Sequence, residues 1–445
     1  MVGDAQANGL DGGTYRADLV VVGAGPAGMG TAYYAARLGL DVILLEKEQF
    51  PRDRICGDGL LAQTVSEMER LGLGDWLLEE HHGRINGFAV RTKTASFAEA
   101  LPPDPRGSRG FVVRRREFEP KILERVRASG TLFRDGVEVT RLLRSPAGAM
   151  LGAEARESKS GATLRFEAPL VAVAAGFGGV DGLVKGGNRG LTAMVVSRQY
   201  FAEAPDPGGS GGPFPKGYLH VWYTDGIPEL GVGYGRIFFL GDGSANVGVA
   251  VYGRNLPGEA SAREEALMRL HEAFLSRHEV AEMLSSAAPE EPVQRRTFAA
   301  GGYSVLRHEA GLLRVGDAGG TSHPTSGEGI GFSLEAGRLA ASWTAEAKRR
   351  DDFSAALLSG YARQLKGLSS LRQPSTHAVA SLVNRFPRLD LMEPVFAGCE
   401  TNGRLRRTLL ECLIGNKDAS ALLYRHPAAS ARAAGAALRK ALRPS

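Results

Sequence analysis

The chain has 445 residues, 43% hydrophobic and 23% charged, the balance of a folded globular protein. That length exceeds one typical domain and predicts two lobes, while the composition excludes a wholly disordered chain and a coiled coil. Lys and Arg total 54 against 49 Asp and Glu, a net charge of +5, with the arginines in short clusters such as Arg114–Arg116 and Arg404–Arg407; no nucleic-acid-binding face is expected. The 59 glycines follow no period, so they predict tight turns and close backbone approaches to a ligand rather than collagen. Cys56, Cys399 and Cys412 have neither disulfide-framework nor CxxC metal spacing, which predicts reducing, cytoplasmic surroundings.

In chain order, residues 1–16 are polar and Gly-rich and read as a disordered leader, not a signal peptide. No stretch reaches the ~18 apolar residues of a membrane span. Leu19–Val22 reads as a buried parallel strand. An Ala-rich helix to about Leu38 follows, with Gly39 as its C-cap, then a second buried strand over 41–46, completing a βαβ unit. After a loop over 50–60, helices are predicted at 61–71 and 116–129, separated by a turn-rich stretch over 95–110. Short strands follow at 131–133, 137–142 and 170–174. Residues 190–255 switch to strand signals, at 191–201, 218–223, 229–239 and 245–252. They predict an antiparallel sheet inserted into the α/β unit. A helix over 261–277, a strand over 312–315 and helices at 329–348 and 353–371 come next. Helices continue to the end, where the alanine-rich tail, 428–443, reads as a surface helix.

Gly23-Ala24-Gly25-Pro26-Ala27-Gly28 lies between the first strand and the first helix. Gly23 permits the turn, Gly25 lets the backbone approach a pyrophosphate, and Gly28 lets helix pack on strand. The helix N-terminus offers amide donors to phosphate. Glu46 ends the second strand eighteen residues after Gly28. A carboxylate there accepts ribose hydroxyls and repels a 2′-phosphate, which points to FAD or NAD rather than NADP; the alternative is a Gly-rich turn that binds nothing. Downstream, a strand ends in Gly316-Asp317, and Gly327-Glu328-Gly329-Ile330-Gly331 opens a helix. Amides there suit an anion or a flavin edge, and Asp317 suits a ribityl hydroxyl.

These segments, with the Asp58 loop and VVRRREFE, resemble the flavoprotein monooxygenase superfamily, whose fold is that of para-hydroxybenzoate hydroxylase. The finer resemblance is to the geranylgeranyl reductase family, carried by EKEQFPRDRICGDGL, by residues 112–119 and by GYGRIFFLGDG with Asn246-Val247-Gly248-Val249. The resemblance covers about residues 17–375. It implies an α/β fold: a Rossmann-like FAD/NAD(P)-binding domain (17–190 and 296–375), an inserted antiparallel β substrate domain (191–295 with part of 61–110) and a helical C-terminal region (376–445). It implies that Gly23, Gly25, Pro26, Ala27, Gly28, Glu46 and Lys47 hold the ADP half of FAD. Arg115 would meet the phosphates or ribityl, Val137 the adenine, Gly316 and Asp317 the ribityl region, and Gly327, Gly329 and Ile330 the isoalloxazine. Cys56-Gly57-Asp58-Gly59 would lie over the flavin, facing substrate.

Two departures stand out. Arg236 and Phe239 replace the family's Trp and Pro, which favours a polar or anionic substrate group or a reshaped pocket. Ala174-Ala175-Gly176 replaces the superfamily's Ala-Asp-Gly.

Each candidate has a plainer reading beside it. Cys56 is a flavin-facing thiol or a packed one. Asp58 is a proton donor or a loop-stabilising carboxylate, and His323 a proton donor or a turn residue. Arg236, Tyr234, Phe238 and Trp222 are substrate contacts or ordinary sheet residues. No metal-ligand spacing is present.

The expected activity is that of an FAD-dependent oxidoreductase. It would reduce, or in reverse form, a C=C bond of a hydrophobic, polyketide- or isoprenoid-like small molecule of secondary metabolism. NAD(P)H or a partner reductase would supply electrons, since no second GxGxxG occurs. The alternatives are a monooxygenase or halogenase working through a flavin C4a-hydroperoxide, and a non-enzymatic flavin-binding scaffold.

Overall fold

The structure, a computed structural model, describes residues 13–102, 110–208, 216–223, 233–302, 305–367, 371–385 and 392–441. Leu19–Val22, Val42–Leu45 and Leu170–Val173 are apolar, largely branched runs, buried at every position. They form the centre of a parallel sheet extended by Leu132–Arg134 and Leu312–Arg314, with His308–Glu309 antiparallel at one edge. Both faces of this sheet are dry, so successive side chains feed two cores. Leu19 and Val21 pack into the helix layer, and Val20 and Val22 against a second sheet.

The helix layer contains Pro26–Arg37, Arg115–Ala128 and Ile330–Arg350. The first and last of these cross closely. A Cβ on Gly337 would stand 2.6 Å from the Ala27 carbonyl oxygen, so glycine there permits the contact that sets both helix N-termini at one groove.

The second sheet orders Thr14–Arg16, Thr163–Glu167, Met150–Glu157 and Val137–Arg144. Two of these strands, Met150–Glu157 and Thr163–Glu167, escaped the sequence reading because their charged residues face solvent and dilute the apolar pattern. The leader expectation is corrected at its end. Thr14–Arg16 is a strand, parallel to Thr163–Glu167, and Tyr15 stacks on Phe166 with ring centroids 5.1 Å apart. Residues 1–12 lie outside the described residues.

The larger sheet runs Ala288–Pro289, Ala193–Ala202, Ala245–Tyr252, Gly233–Phe239, Tyr218–Tyr223, Gly87–Arg91, Ser96–Ala100. Gln294–Ala299 also pairs with Ala193–Ala202. Two expectations change here. The sheet is mixed, because Tyr218–Tyr223 runs parallel to Gly87–Arg91. Its last strand also spans the boundary expected at residue 296. Of the strand expected over 229–239, residues 229–232 lie outside the described residues.

The helices Ala260–Leu275 and His278–Met283 cover one face of this sheet, burying Trp222, Ile237, Phe239 and Phe274 together. The opposite face looks onto the parallel sheet. Glu393–Thr401 and Gly403–Leu413 close the far edge, where Phe396, Cys399 and Leu409 pack on Val90 and Phe97. The alanine-rich tail is the helix Pro427–Ala441, with Ala429 buried in that same cluster.

Gly28 fixes how closely the first helix meets its strand: a Cβ there would lie 1.8 Å from the Gly23 carbonyl oxygen. Gly28→Ala therefore forces backbone apart and is expected to cost about 3 kcal/mol or more, read as a lower denaturant midpoint. Gly25→Ala, whose Cβ meets nothing within 4 Å, should stay within about 1 kcal/mol of the wild type.

Candidate active site

One groove runs between the parallel sheet and the larger sheet. Gly25, Pro26 and Ala27 line it at one end, and Gly327, Glu328, Gly329 and Ile330 at the other. The two Gly-rich segments, some three hundred residues apart in sequence, thus share a single wall. Both belong to helix starts, which turn free N–H groups and partial positive charge toward the groove.

Arg54, Arg115 and Arg296 also line the groove, together with Asp317, and all three guanidinium groups act electrostatically on the Asp317 carboxyl. Burial pushes that carboxyl up, and Ser322 Oγ, donating at 2.5 Å, and the arginines pull against it. Nε of Arg54 and Nε of Arg115 are buried with no partner. Cationic groups in excess, orphaned donors and an open space at Gly25 fit a dinucleotide diphosphate. FAD is therefore compatible with the residues present: Gly25–Ala27, Arg54 and Arg115 toward its phosphates, and Asp317 with Gly327–Ile330 toward its ribityl and ring.

Several expected ADP contacts sit elsewhere. Glu46 is buried behind the Gly loop: Oε2 accepts from Ala24 N–H at 2.9 Å and from Arg52 at 3.0 Å. Burial raises this carboxyl, but Arg52, Arg54 and two backbone N–H groups outweigh it and hold it below the usual range. Ala24 N–H, Arg52 and Arg54 take Oε2, and Oε1 accepts the Glu48 N–H at 3.2 Å. Val137 points into the core between the sheets, and its N–H donates to Glu46 O at 2.8 Å. Lys47 is exposed. Gly23 and Gly28 are packing positions, and Gly316 abuts Ala27.

The loop 50–59 supplies the groove's upper wall through Ile55, Cys56, Gly57 and Gly59. Cys56 faces the groove, and its thiol interacts with Arg115. Asp58 does not line it. Its backbone adopts φ +64°, a left-handed conformation that Asp tolerates. That conformation turns the side chain away, where Oδ2 accepts from Tyr200 Oη and from Asn246 Nδ2, the latter at 2.8 Å. Burial raises Asp58 to about 6 against those two donors. It is the loop-stabilising carboxylate, and the proton-donor expectation is corrected.

His323 is likewise turned from the groove. Nε2 meets Gln373 Oε1 at 3.3 Å and Nδ1 meets Ser326 Oγ at 3.1 Å. Burial lowers it to about 4, so it is a neutral turn residue and not the expected proton donor.

The larger sheet provides the remaining wall, and strand alternation decides which side chains reach it. Tyr234, Arg236 and Phe238 face the groove, as do Leu219, Val221 and Tyr223. Trp222 lies on the opposite face, edge-on to Phe274 with centroids 5.3 Å apart; its assignment to the substrate wall is corrected. The period-two pattern of 218–223 already separated it from Leu219 and Val221. Sequence reasoning also passed over Arg54, Arg296 and Glu328. Glu328 lines the groove beside Gly329, Oε1 is buried without a partner, and burial pushes its carboxyl up to about 8.

A family model described as FAD binding domain matches residues 16–184. Menaquinone reductase of Mycolicibacterium smegmatis is 32% identical over 73% of this chain and 76% of its own length. Digeranylgeranylglycerophospholipid reductase 2 of Methanopyrus kandleri is 29% identical over 77% and 81%. A solved geranylgeranyl bacteriochlorophyll reductase-like protein of Thermoplasma acidophilum shares the fold, with a TM-score of 0.69, 17% identity, and coverage of 95% of this chain and 100% of that one. Fold and groove thus define an FAD-dependent oxidoreductase. The chain belongs to the geranylgeranyl reductase family.

The Glu328 carboxyl makes stability pH-dependent. Its pKa is about 8 folded against an ordinary 4.5, so the folded chain keeps a proton that the unfolded chain loses. The cost of this site grows as pH rises from about 4.5 to about 8. Glu328→Gln should melt a few degrees higher than wild type at pH 8.5 and equally at pH 4.5, in paired thermal melts.

Proposed function

We propose that this protein reduces a C=C bond in a hydrophobic, isoprenoid- or polyketide-like small molecule, with electrons drawn from NAD(P)H or a partner reductase. The observation that carries this reading is the apolar wall formed by Leu61, Phe88, Leu219, Val221, Tyr223 and Phe238, continuous with the flavin end of the groove. The names of the two relatives above, reductases of an isoprenoid quinone and an isoprenoid lipid, support it. No helix of the described residues is long and apolar enough to cross a membrane. We place the reaction in the cytoplasm.

FAD, when bound, supplies the hydride equivalent. The chain's own residues do the rest. The apolar wall holds the carbon chain and excludes water, which strengthens every electrostatic contact inside. Glu328 lines the groove with its Oε1 buried and without a partner. Glu328, raised to about 8 by burial, holds a proton at neutral pH and can release it to a substrate carbon.

The test is anaerobic turnover of the reduced holoenzyme against polyprenyl alcohols, acids and quinones, followed by mass spectrometry. A gain of two hydrogens without oxygen is expected. Turnover that stops without oxygen would establish the monooxygenase or halogenase alternative instead. Glu328→Gln should keep its FAD and lose about a hundredfold in the rate of product formation.

A further inference from the structure

The cations of the groove fall into two groups. Arg54, Arg115 and Arg296 surround Asp317 and lie toward the cofactor. Arg236 lies on the sheet wall among Tyr234, Phe238 and Cys56. It is 3% exposed, yet no carboxylate among the described residues pairs with it. Its Nη2 meets only oxygens of neutral groups at long range: Asn246 Oδ1 at 3.3 Å, Ser197 O at 3.4 Å and Cys56 O at 3.5 Å. Its Nε has no partner at all.

That arrangement is costly unless something completes it. A guanidinium carries a full positive charge and only donors, with no acceptor of its own. Taking it out of water against neutral acceptors alone leaves a desolvation penalty that an anion in the groove would offset. Glycine makes the room: a Cβ on Gly57 would lie 2.8 Å from Arg236 Nε, and one on Gly248 2.8 Å from Nη1. The guanidinium is thus seated between two strands and the 50–59 loop, with its donors beside the apolar wall.

Resting on the reading of this protein as a C=C reductase, we propose that Arg236 binds an oxyanion of the substrate. The substrate is then an amphiphile: an unsaturated apolar chain laid along Leu219, Val221 and Phe238, with a carboxylate-type group at the guanidinium. A neutral polyprenyl alcohol would leave Arg236 unpaired and bind less well.

The experiment uses the FAD-loaded full chain and two matched probes, farnesoic acid and farnesol, titrated by isothermal calorimetry and by perturbation of the flavin absorbance. The acid should bind at least about tenfold tighter than the alcohol to the wild type. Arg236→Gln should abolish that preference while leaving alcohol binding and FAD content unchanged, and Arg236→Lys should keep part of it. Equal binding of acid and alcohol to the wild type would overturn the proposal and leave the reductase reading intact; this comparison needs no variant to fold. Binding of neither probe would overturn both. Loss of FAD from Arg236→Gln or Arg236→Lys, with the holoprotein otherwise folded, would assign the arginine to the cofactor and overturn the proposal.

Discussion

The loop 50–59 is clamped from two sides, and the groove exists because of it. On the nucleotide side, Arg52 reaches Glu119 at 2.5 Å, Glu46 at 3.0 Å and the Ala24 carbonyl at 2.9 Å, all buried. On the other side, Asp53 takes Arg198 at 2.5 Å, and Asp58 takes Tyr200 and Asn246 from neighbouring strands of the larger sheet. Tyr200 is itself held between the guanidinium groups of Arg114 and Arg198, at 4.3 and 4.4 Å from its ring centre. A buried pair broken at one partner costs about 3–5 kcal/mol, so this loop is the rigid link that fixes the spacing between the two sheets. Its inner face carries Cys56 and Gly57 into the groove, while its charged side chains serve as anchors behind it.

The same division of labour explains the electrostatics. Carboxylates that hold the scaffold together are matched to cations: Glu46 with Arg52, Glu290 with Arg114 at 2.8 Å, and Asp53 with Arg198. Groups that look into the groove are left short. Arg54 and Arg115 keep orphaned donors, and among the described residues Arg236 has no pairing acid and Glu328 no cation that stabilises its charged form. Incomplete pairing at a buried site is energetically unfavourable in isolation, and a ligand is what such a surface is complementary to. The diphosphate end and the apolar end thus differ in both charge and shape, which orients an extended cofactor and a chain-like substrate in one direction.

Much of this was legible in the residues. The βαβ unit, both Gly-rich turns and the strands 218–223 and 245–252 follow from local periodicity and from glycine's tolerance of close contact. Cys56, Arg115, Asp317, Tyr234, Arg236 and Phe238 stood out in the sequence as candidate flavin or substrate contacts, and the fold brings all six to the lining of one groove. The hairpin over 150–167 was missed because a sheet with one wet face carries a diluted pattern. The motifs left Asp58 and His323 open between proton donor and structural residue, because a motif gives a residue's neighbours in sequence but not its rotamer or its partners across the fold.

The sequence by itself determined the nucleotide-binding start of the chain, since a short branched strand followed by spaced glycines and a helix admits few other structures. It also determined that polar residues would stand among apolar ones near Arg236. Only the tertiary structure decided which of them meet. Whether Asp58 faces a ligand or a tyrosine depends on strand residues 142 and 188 positions away. Whether Glu328 titrates at about 8 rather than in the ordinary carboxylate range depends on its burial in the packed fold. Burial and partnering are long-range properties, set by which surfaces the packed sheets bring together, and local sequence carries no record of them.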